Sequence, residues 1–150
     1  FFIFLSSIDK KIVNELTKNG FSLEENSAVC LLGDRFFGFI KKSQRIIIIC
    51  TDNAMKIGGY NIPKVSEDWS PTQLYIRRAL RHEATHAAQV CNQGNLLNMV
   101  EKDKMKLHPF KKEALQGSTQ ISGNKDEEYE AYWMEDRPKL VLKALRKYCL

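Results

Sequence analysis

The feature that most constrains this chain is a pair of histidines spaced four residues apart inside a strongly predicted helix. His82, Glu83 and His86 form an HExxH pattern. A serine–proline pair at 70–71 is a favourable helix start, and we expect the helix to extend to about Asn92. Side chains four residues apart lie one turn apart on one helix face, so the two imidazoles could hold one tetrahedral metal ion.

The glutamate between the histidines could act as the base in a hydrolysis reaction. Glu83 lies next to the face that carries His82 and His86, within reach of a water bound to the metal. Zinc lowers the pKa of that water towards neutrality, and the carboxylate can accept its proton as the water attacks a carbonyl. The competing interpretation is two histidines that pack or face solvent, and their ligand spacing favours the metal site. Small residues flank the motif and leave room for a metal: Ala79, Ala84, Ala87 and Ala88.

Zinc needs a third protein ligand and an open position for water. The residues suggest two sources downstream of the helix. One is the acidic stretch at 126–130, although acidic residues are also usual at helix starts. The other is His108, the only further histidine in the chain, which a surface position in a lysine-rich connection would also explain. The residues alone leave this choice open.

Two stretches of the chain, 82–91 and 128–131, resemble zinc peptidases of the zincin type. The second stretch is similar to the E-x-x-A motif of minigluzincins, found in the HtpX and CAAX-processing membrane peptidases and in small metallopeptidases that process a mitochondrial ATP synthase subunit. In the latter, a cysteine commonly stands at the position that Cys91 holds here. The resemblance does not cover the rest of the chain.

This resemblance implies a complete site. Aligning the E-x-x-A motif makes Glu128 the third zinc ligand beside His82 and His86, with Glu83 as the general base. The thermolysin-like pattern, in which the glutamate directly precedes the alanine, would select Glu130 instead.

One departure from these families concerns Tyr132, which stands where they often carry an aspartate that orients a zinc-binding histidine. Another group must therefore orient the histidine here. A second resemblance, to SprT-like proteases, rests on the alanine pair at 87–88 and would make His108 the third ligand. The interval from His86 to His108 is longer than we expect for that family.

Further candidates carry less specific signals. Phenols can stabilise an oxyanion in some zincins, which makes candidates of Tyr75, Tyr129 and Tyr132, although packing explains them as well. Arg78 and Arg81 could bind a substrate carboxylate, but we expect them to be solvated charges.

The remaining pattern predicts an α+β fold. We expect strands at 27–32, 35–41 and 44–51, with the isoleucine run at 46–49 buried on both faces. We expect helices at 7–18 (capped by Ser7), 70–92, 96–116 with a break near Pro109, 126–135 and 139–148, and loops at 52–69 and 117–124. The predicted architecture is one zincin-like domain over residues 1–150, in which a small mixed sheet packs against the HExxH helix and a C-terminal helical region. The strands at 35–41 and 44–51 are both candidates for the sheet edge that would bind an extended peptide.

Charge and apolar content limit the partners. The net charge is +5. The basic residues are spread over Lys41-Lys42, Arg77-Arg78, 102–106, Lys111-Lys112 and 139–147. We interpret them as a solvated surface and keep a nucleic-acid partner as the alternative. The apolar start at 1–5 is too short to cross a bilayer, so we expect no membrane span.

The four cysteines show no metal-binding or redox spacing. Cys30, Cys50 and Cys91 lie within apolar patterns, whereas Cys149 lies at the end of the chain. The simplest interpretation is buried free thiols in the cytoplasm or another reducing compartment, and an oxidised pair is the alternative.

These observations predict a zinc-dependent metallopeptidase that hydrolyses a peptide or protein substrate. Three alternatives stay open at this point. The first is a zincin-fold structural or assembly protein with little proteolysis. The second is a SprT-like protease that acts on nucleic acid, and the third is a binding module without metal.

Overall fold

The computed structural model describes residues 1–59, 70–122 and 124–149, apart from the side chains of residues 121 and 122. Within these ranges the helices are α1 (Ser7–Lys18), α2 (Thr51–Gly58), α3 (Pro71–Cys91), α4 (Pro109–Ser122), α5 (Lys125–Met134) and α6 (Pro138–Tyr148). The strands are β1 (Ser22–Glu25), β2 (Gly38–Lys41) and β3 (Ile46–Ile49). The predicted α+β class is confirmed.

The sheet is mixed and has β3 at its centre. β3 pairs in parallel with β1 and antiparallel with β2, so the strand order is β1-β3-β2. Ile47, Ile48 and Ile49 have no solvent exposure, as expected of a strand covered on both faces. Of the two candidate edges, 44–51 therefore contains the central strand, whereas 35–41 contains the edge strand β2.

The predicted strand at 27–32 is wrong. Residues Ala28–Leu32 form a short 3-10 helix, in which Cys30 packs against Ile48 and Cys50 on one face of the sheet. The strand next to β3 is instead the polar segment Ser22–Glu25. Its charged side chains suit an exposed sheet edge, but they lack the apolar pattern by which strands are recognised.

The predicted loop at 52–69 is also wrong over its first part, where α2 lies. The end of α2 comes close to the start of α3, since a Cβ placed on Gly58 would lie 2.1 Å from Oγ1 of Thr72. Glycines normally weaken a helix, and here Gly58 is required by this close approach. Residues 60–69, with Trp69, lie outside the described residues.

Two predictions in the C-terminal half need correction. Residues 96–108 contain one 3-10 turn, Lys102–Lys104, in place of the predicted helix. Conversely, α4 begins at Pro109 and ends at Ser122, so it covers most of the predicted loop at 117–124. Gly117 lies on the exposed side of this helix, where a glycine is tolerated. The helices predicted at 7–18, 70–92, 126–135 and 139–148 are confirmed within two residues. Ser6, rather than Ser7, caps α1.

Helix α3 lies at the centre of the fold, where it contacts α1, α2, α5, α6 and the sheet. Ala84, Ala87 and Ala88 are fully buried on it, and their small side chains allow the neighbouring elements to approach closely. Among the described residues, no helix combines the length and apolar character that crossing a bilayer requires.

All four cysteines are paired, so the prediction of free thiols is wrong. Cys30 forms a disulfide with Cys50, and Cys91 forms one with Cys149. The second bond joins the C-terminal ends of α3 and α6. Because disulfides persist in oxidising compartments, this pairing favours a non-reducing setting over the reducing one that the sequence suggested.

Candidate metal centre

Helix α3 presents the HExxH residues on its buried side. The side chain of Ser70 caps the helix by accepting a hydrogen bond from the backbone N–H of Gln73 at 3.2 Å. Three turns later His82, Glu83 and His86 are 7%, 6% and 3% exposed. Ionisable groups are rarely buried to this extent without partners, so their contacts indicate what the site does.

The carboxylate of Glu128 lies between the two imidazoles. Its Oε2 is 2.7 Å from Nε2 of His86, and its Oε1 is 3.4 Å from Nε2 of His82. Helix α5 supplies this residue in its first turn, where Asn124 caps the helix. The potential ligand atoms of the three side chains all lie within 4.8 Å of one another, and all three residues are buried. The His82, His86 and Glu128 group could therefore hold a metal ion.

The donor set of this group suits zinc. Two imidazole nitrogens and one carboxylate are a ligand set of catalytic zinc sites, which keep a fourth position open. The outer nitrogens support the same assignment, because each is held by another side chain. Nδ1 of His82 is 3.1 Å from Oε2 of Glu135, and Nδ1 of His86 is 2.7 Å from Oε1 of Gln89. Such partners fix the ring orientation and direct both Nε2 atoms to one point.

Glu135 supplies the orienting group that the sequence lacked at Tyr132. It lies seven residues after Glu128, which places both carboxylates near one face of the helical segment, two turns apart. That spacing is the signal in the sequence that could have identified it. Gln89 was not predicted either, although it stands three residues after His86 on α3.

The two rival ligands, Glu130 and His108, contact other parts of the molecule. Glu130 is 2% exposed and accepts hydrogen bonds from the backbone N–H groups of Leu97 and Asn98 and from the Nε2 group of Gln89. It therefore ties the irregular segment after α3 to α5. His108 is exposed and stacks on Phe110, with ring centroids 5.0 Å apart.

Glu83 faces the edge strand of the sheet. A Cβ placed on Gly38 in β2 would lie 3.1 Å from Cγ of Glu83 and 3.2 Å from Cβ of Ala79. Just beyond β2, Nζ of Lys42 forms an ion pair with Oε2 of Glu127 at 2.9 Å. The base candidate thus lies between the metal group and the backbone of an edge strand.

The pKa values of the ionisable groups in the site are shifted in different directions. Burial raises the pKa of Glu83 above its usual value, although the neighbouring His82 and His86 oppose this effect. Burial would also raise the pKa of Glu128, but hydrogen bonds from the two histidines outweigh it and hold that pKa well below its usual range. Burial alone would lower the pKa of His82. Hydrogen bonds to Glu128 and Glu135 outweigh it and raise this pKa well above 6.5.

The other candidate residues have structural partners. The hydroxyl group of Tyr129 donates to the backbone carbonyl of Met105, and that of Tyr132 contacts Oγ of Ser118. The ring of Tyr132 also packs edge-on against His82, with centroids 4.4 Å apart.

The remaining tyrosine and the two arginines also have partners. Tyr75 stacks on Phe37 with centroids 4.9 Å apart. Arg81 forms a two-pronged ion pair with the fully buried Asp9 at 2.8 and 3.1 Å. Arg78 pairs with Asp136 at 2.8 Å while 36% of its side chain stays exposed, so only Arg81 departs from the solvated charge that we expected.

The model of a family described as a domain of unknown function, DUF8637, matches residues 1–150. Neither the curated proteins nor the solved structures include a match to this chain.

Proposed function

The chain belongs to the DUF8637 family, and we propose that it is a zinc-dependent metallopeptidase. The observation that carries this proposal is the buried convergence of His82, His86 and Glu128, whose potential ligand atoms lie within 4.8 Å of one another beside Glu83. These residues come from two helices, α3 and α5. Burial of this many ionisable groups is costly unless they are paired or hold a metal, and a metal accounts for their common focus.

In this proposal Glu83 is the general base. A bound zinc ion would supply an activated water and polarise the substrate carbonyl. Glu83 is not one of the three grouped side chains, and its burial raises its pKa, which suits a carboxylate that accepts a proton and returns it to a leaving amine. Glu135 and Gln89 orient the two imidazoles.

The edge strand β2 is where we place the substrate. Among the described residues β2 pairs with β3 alone, and we propose that its other side pairs with an extended peptide. Gly38 in this strand has no side chain, which lets the strand's own backbone lie close to Glu83. These contacts support a peptide or protein substrate, and they support a zincin-like arrangement of the sheet against α3.

The test of this function separates metal binding from catalysis. Zinc-loaded protein should hold about one zinc per chain and cleave an unstructured protein such as casein. Glu83→Gln should keep the zinc and lose hydrolysis, since the base is removed while the three ligands stay. Asp52→Asn, on the exposed side of α2, is a control that should keep both. A folded wild-type chain that takes up no zinc would overturn the proposal.

The same test distinguishes the alternatives. Zinc uptake without hydrolysis of any peptide would favour a structural or assembly protein that has kept the metal site. A SprT-like protease on nucleic acid would require His108 for zinc binding and show salt-sensitive DNA binding. The exposed stacking of His108 on Phe110 gives that alternative no support.

A further inference from the structure

Lys111 is an unusually enclosed lysine next to the metal centre. The sequence suggested that it belongs to a solvated basic surface, but its side chain is only 15% exposed. It lies in the first turn of α4, and its Nζ group makes three short contacts. These reach Oε1 of Glu135 at 3.1 Å, Oδ2 of Asp136 at 2.5 Å and the backbone carbonyl of Tyr132 at 2.9 Å.

Glu135 connects this lysine to the metal group. One of its oxygens contacts Lys111, and the other lies 3.1 Å from Nδ1 of His82. The carboxylate is 9% exposed, so few water molecules can reach it. Each oxygen therefore depends on its protein partner, and the cation fixes which oxygen faces the histidine.

These side-chain contacts form a ring, which helix α3 closes because it carries both Arg78 and His82. Asp136, which contacts Lys111, also pairs with Arg78 at 2.8 Å. Arg78 stands four residues before His82, so both project from one face of α3. The ring thus joins three helical segments: α3 through Arg78 and His82, the end of α5 through Glu135 and Asp136, and α4 through Lys111.

We propose that Lys111 is a positioning residue for His82. It holds the Glu135 carboxylate against Nδ1, which keeps Nε2 directed at the position shared with His86 and Glu128. The inference rests on the metal site of the proposed function but not on hydrolysis. It also assigns a role to α4, since the start of this helix must be docked on α5 for His82 to be oriented.

Removal of the charge should loosen the histidine. In Lys111→Met, the Glu135 carboxylate keeps its buried position with one partner fewer and is free to turn away from Nδ1. Because partners of this kind set metal affinity, we expect zinc binding to weaken about 10- to 100-fold. Lys111→Arg should restore most of the affinity. Lys112→Met is the matched control, since Lys112 is the next residue and is exposed.

A double-mutant cycle distinguishes positioning from a general loss of packing. Zinc affinity is measured by chelator competition in Lys111→Met, Glu135→Gln and the double variant. If Lys111 acts through Glu135, Lys111→Met should cost no further affinity once Glu135 is Gln. Additive losses, or equal losses in Lys111→Met and Lys112→Met, would overturn the inference.

A second readout works without metal and therefore separates this inference from the proposed function. In metal-free protein, the proton on Nδ1 of His82 should be protected from exchange with water and visible by nitrogen-edited NMR. The signal should persist in Lys112→Met and Lys111→Arg and be lost in Lys111→Met. An unchanged signal in Lys111→Met refutes the role of Lys111 even if zinc never binds, whereas failed hydrolysis refutes the peptidase alone.

Discussion

Nε2 of His86 lies 2.7 Å from Oε2 of Glu128, although 42 residues separate them in the chain. Glu130, two residues further on, accepts hydrogen bonds from the backbone of Leu97 and Asn98. Two buried glutamates on one short helix thus have different roles, one at the candidate metal centre and one in holding a loop.

Substitution of these two glutamates should give opposite results. Glu128→Gln should lose most of the bound zinc, because it removes the only carboxylate among the three grouped side chains. Glu130→Gln should keep the zinc but lower the free energy of unfolding by about 1–3 kcal/mol, since the hydrogen bonds that the buried Glu130 accepts from the loop are weakened. Metal analysis and urea unfolding measure the two effects. Zinc loss in Glu130→Gln with full retention in Glu128→Gln would reverse the assignment.

Zinc binding should depend on pH through His82. Burial alone lowers the pKa of His82, but hydrogen bonds to Glu128 and Glu135 outweigh it and raise this pKa well above its ordinary value, which favours the protonated imidazole in metal-free protein. Zinc requires the neutral imidazole, so binding should release about one proton from His82 and weaken as the pH falls. Calorimetry in buffers with different ionisation enthalpies counts the released protons. Binding without proton release would contradict this expectation.

The stability of the metal-free protein should also depend on the titration of His82, but stability should fall as the pH rises, whereas zinc binding weakens as the pH falls. A raised pKa in the folded state stabilises the fold fully below 6.5, the ordinary pKa of histidine, and this contribution is lost as the pH rises through the folded value. The lowered pKa of Glu128 stabilises the fold above pH 4.5, the ordinary pKa of glutamate. This stabilisation is lost as the pH falls through the pKa that Glu128 has in the folded state. Urea unfolding without metal should therefore show declining stability at alkaline pH. His82→Gln should show a smaller decline.

A side chain at Gly38 should disturb the base but not the metal. The added Cβ of Gly38→Ala would lie 3.1 Å from Cγ of Glu83, closer than ordinary contacts, so Glu83 must shift by a few tenths of an ångström. We expect kcat to fall about tenfold, because misplaced catalytic groups are costly, while zinc affinity stays unchanged. Gly117→Ala is the control: its Cβ would meet no atom within 4 Å. Wild-type kcat in Gly38→Ala would show that this contact does not position Glu83.

The disulfides should be measurable in protein isolated from an oxidising compartment. In urea and without reductant, iodoacetamide should label none of the four cysteines. Replacing Cys91 and Cys149 by serine should lower the free energy of unfolding by about 2–4 kcal/mol. The corresponding change at Cys30 and Cys50 should cost less, because the bond closes a shorter interval, 20 residues against 58. Full labelling without reductant would restore the free-thiol interpretation.

The elements with strong local signals were predictable from the sequence. Ser70 and Pro71 marked the start of α3, and the isoleucine run marked β3 as the central strand. The errors fall where packing overrides the local pattern. The apolar segment Ala28–Leu32 covers one face of the sheet as a 3-10 helix, and the polar segment Ser22–Glu25 forms a strand because β3 offers it a partner. A pattern of apolar residues does not encode such partners.

The sequence by itself determined half of the candidate metal centre. His82, Glu83 and His86 are brought together by the geometry of one helix turn, which local spacing fixes. The E-x-x-A resemblance already selected Glu128, and the tertiary structure brings its carboxylate against both histidines. Only the tertiary structure decided that Glu135 is the partner of His82 and that Lys111 is enclosed. These residues lie on other helices, and only the rotation and docking of α4 and α5 against α3 determine which of their side chains reach the histidines.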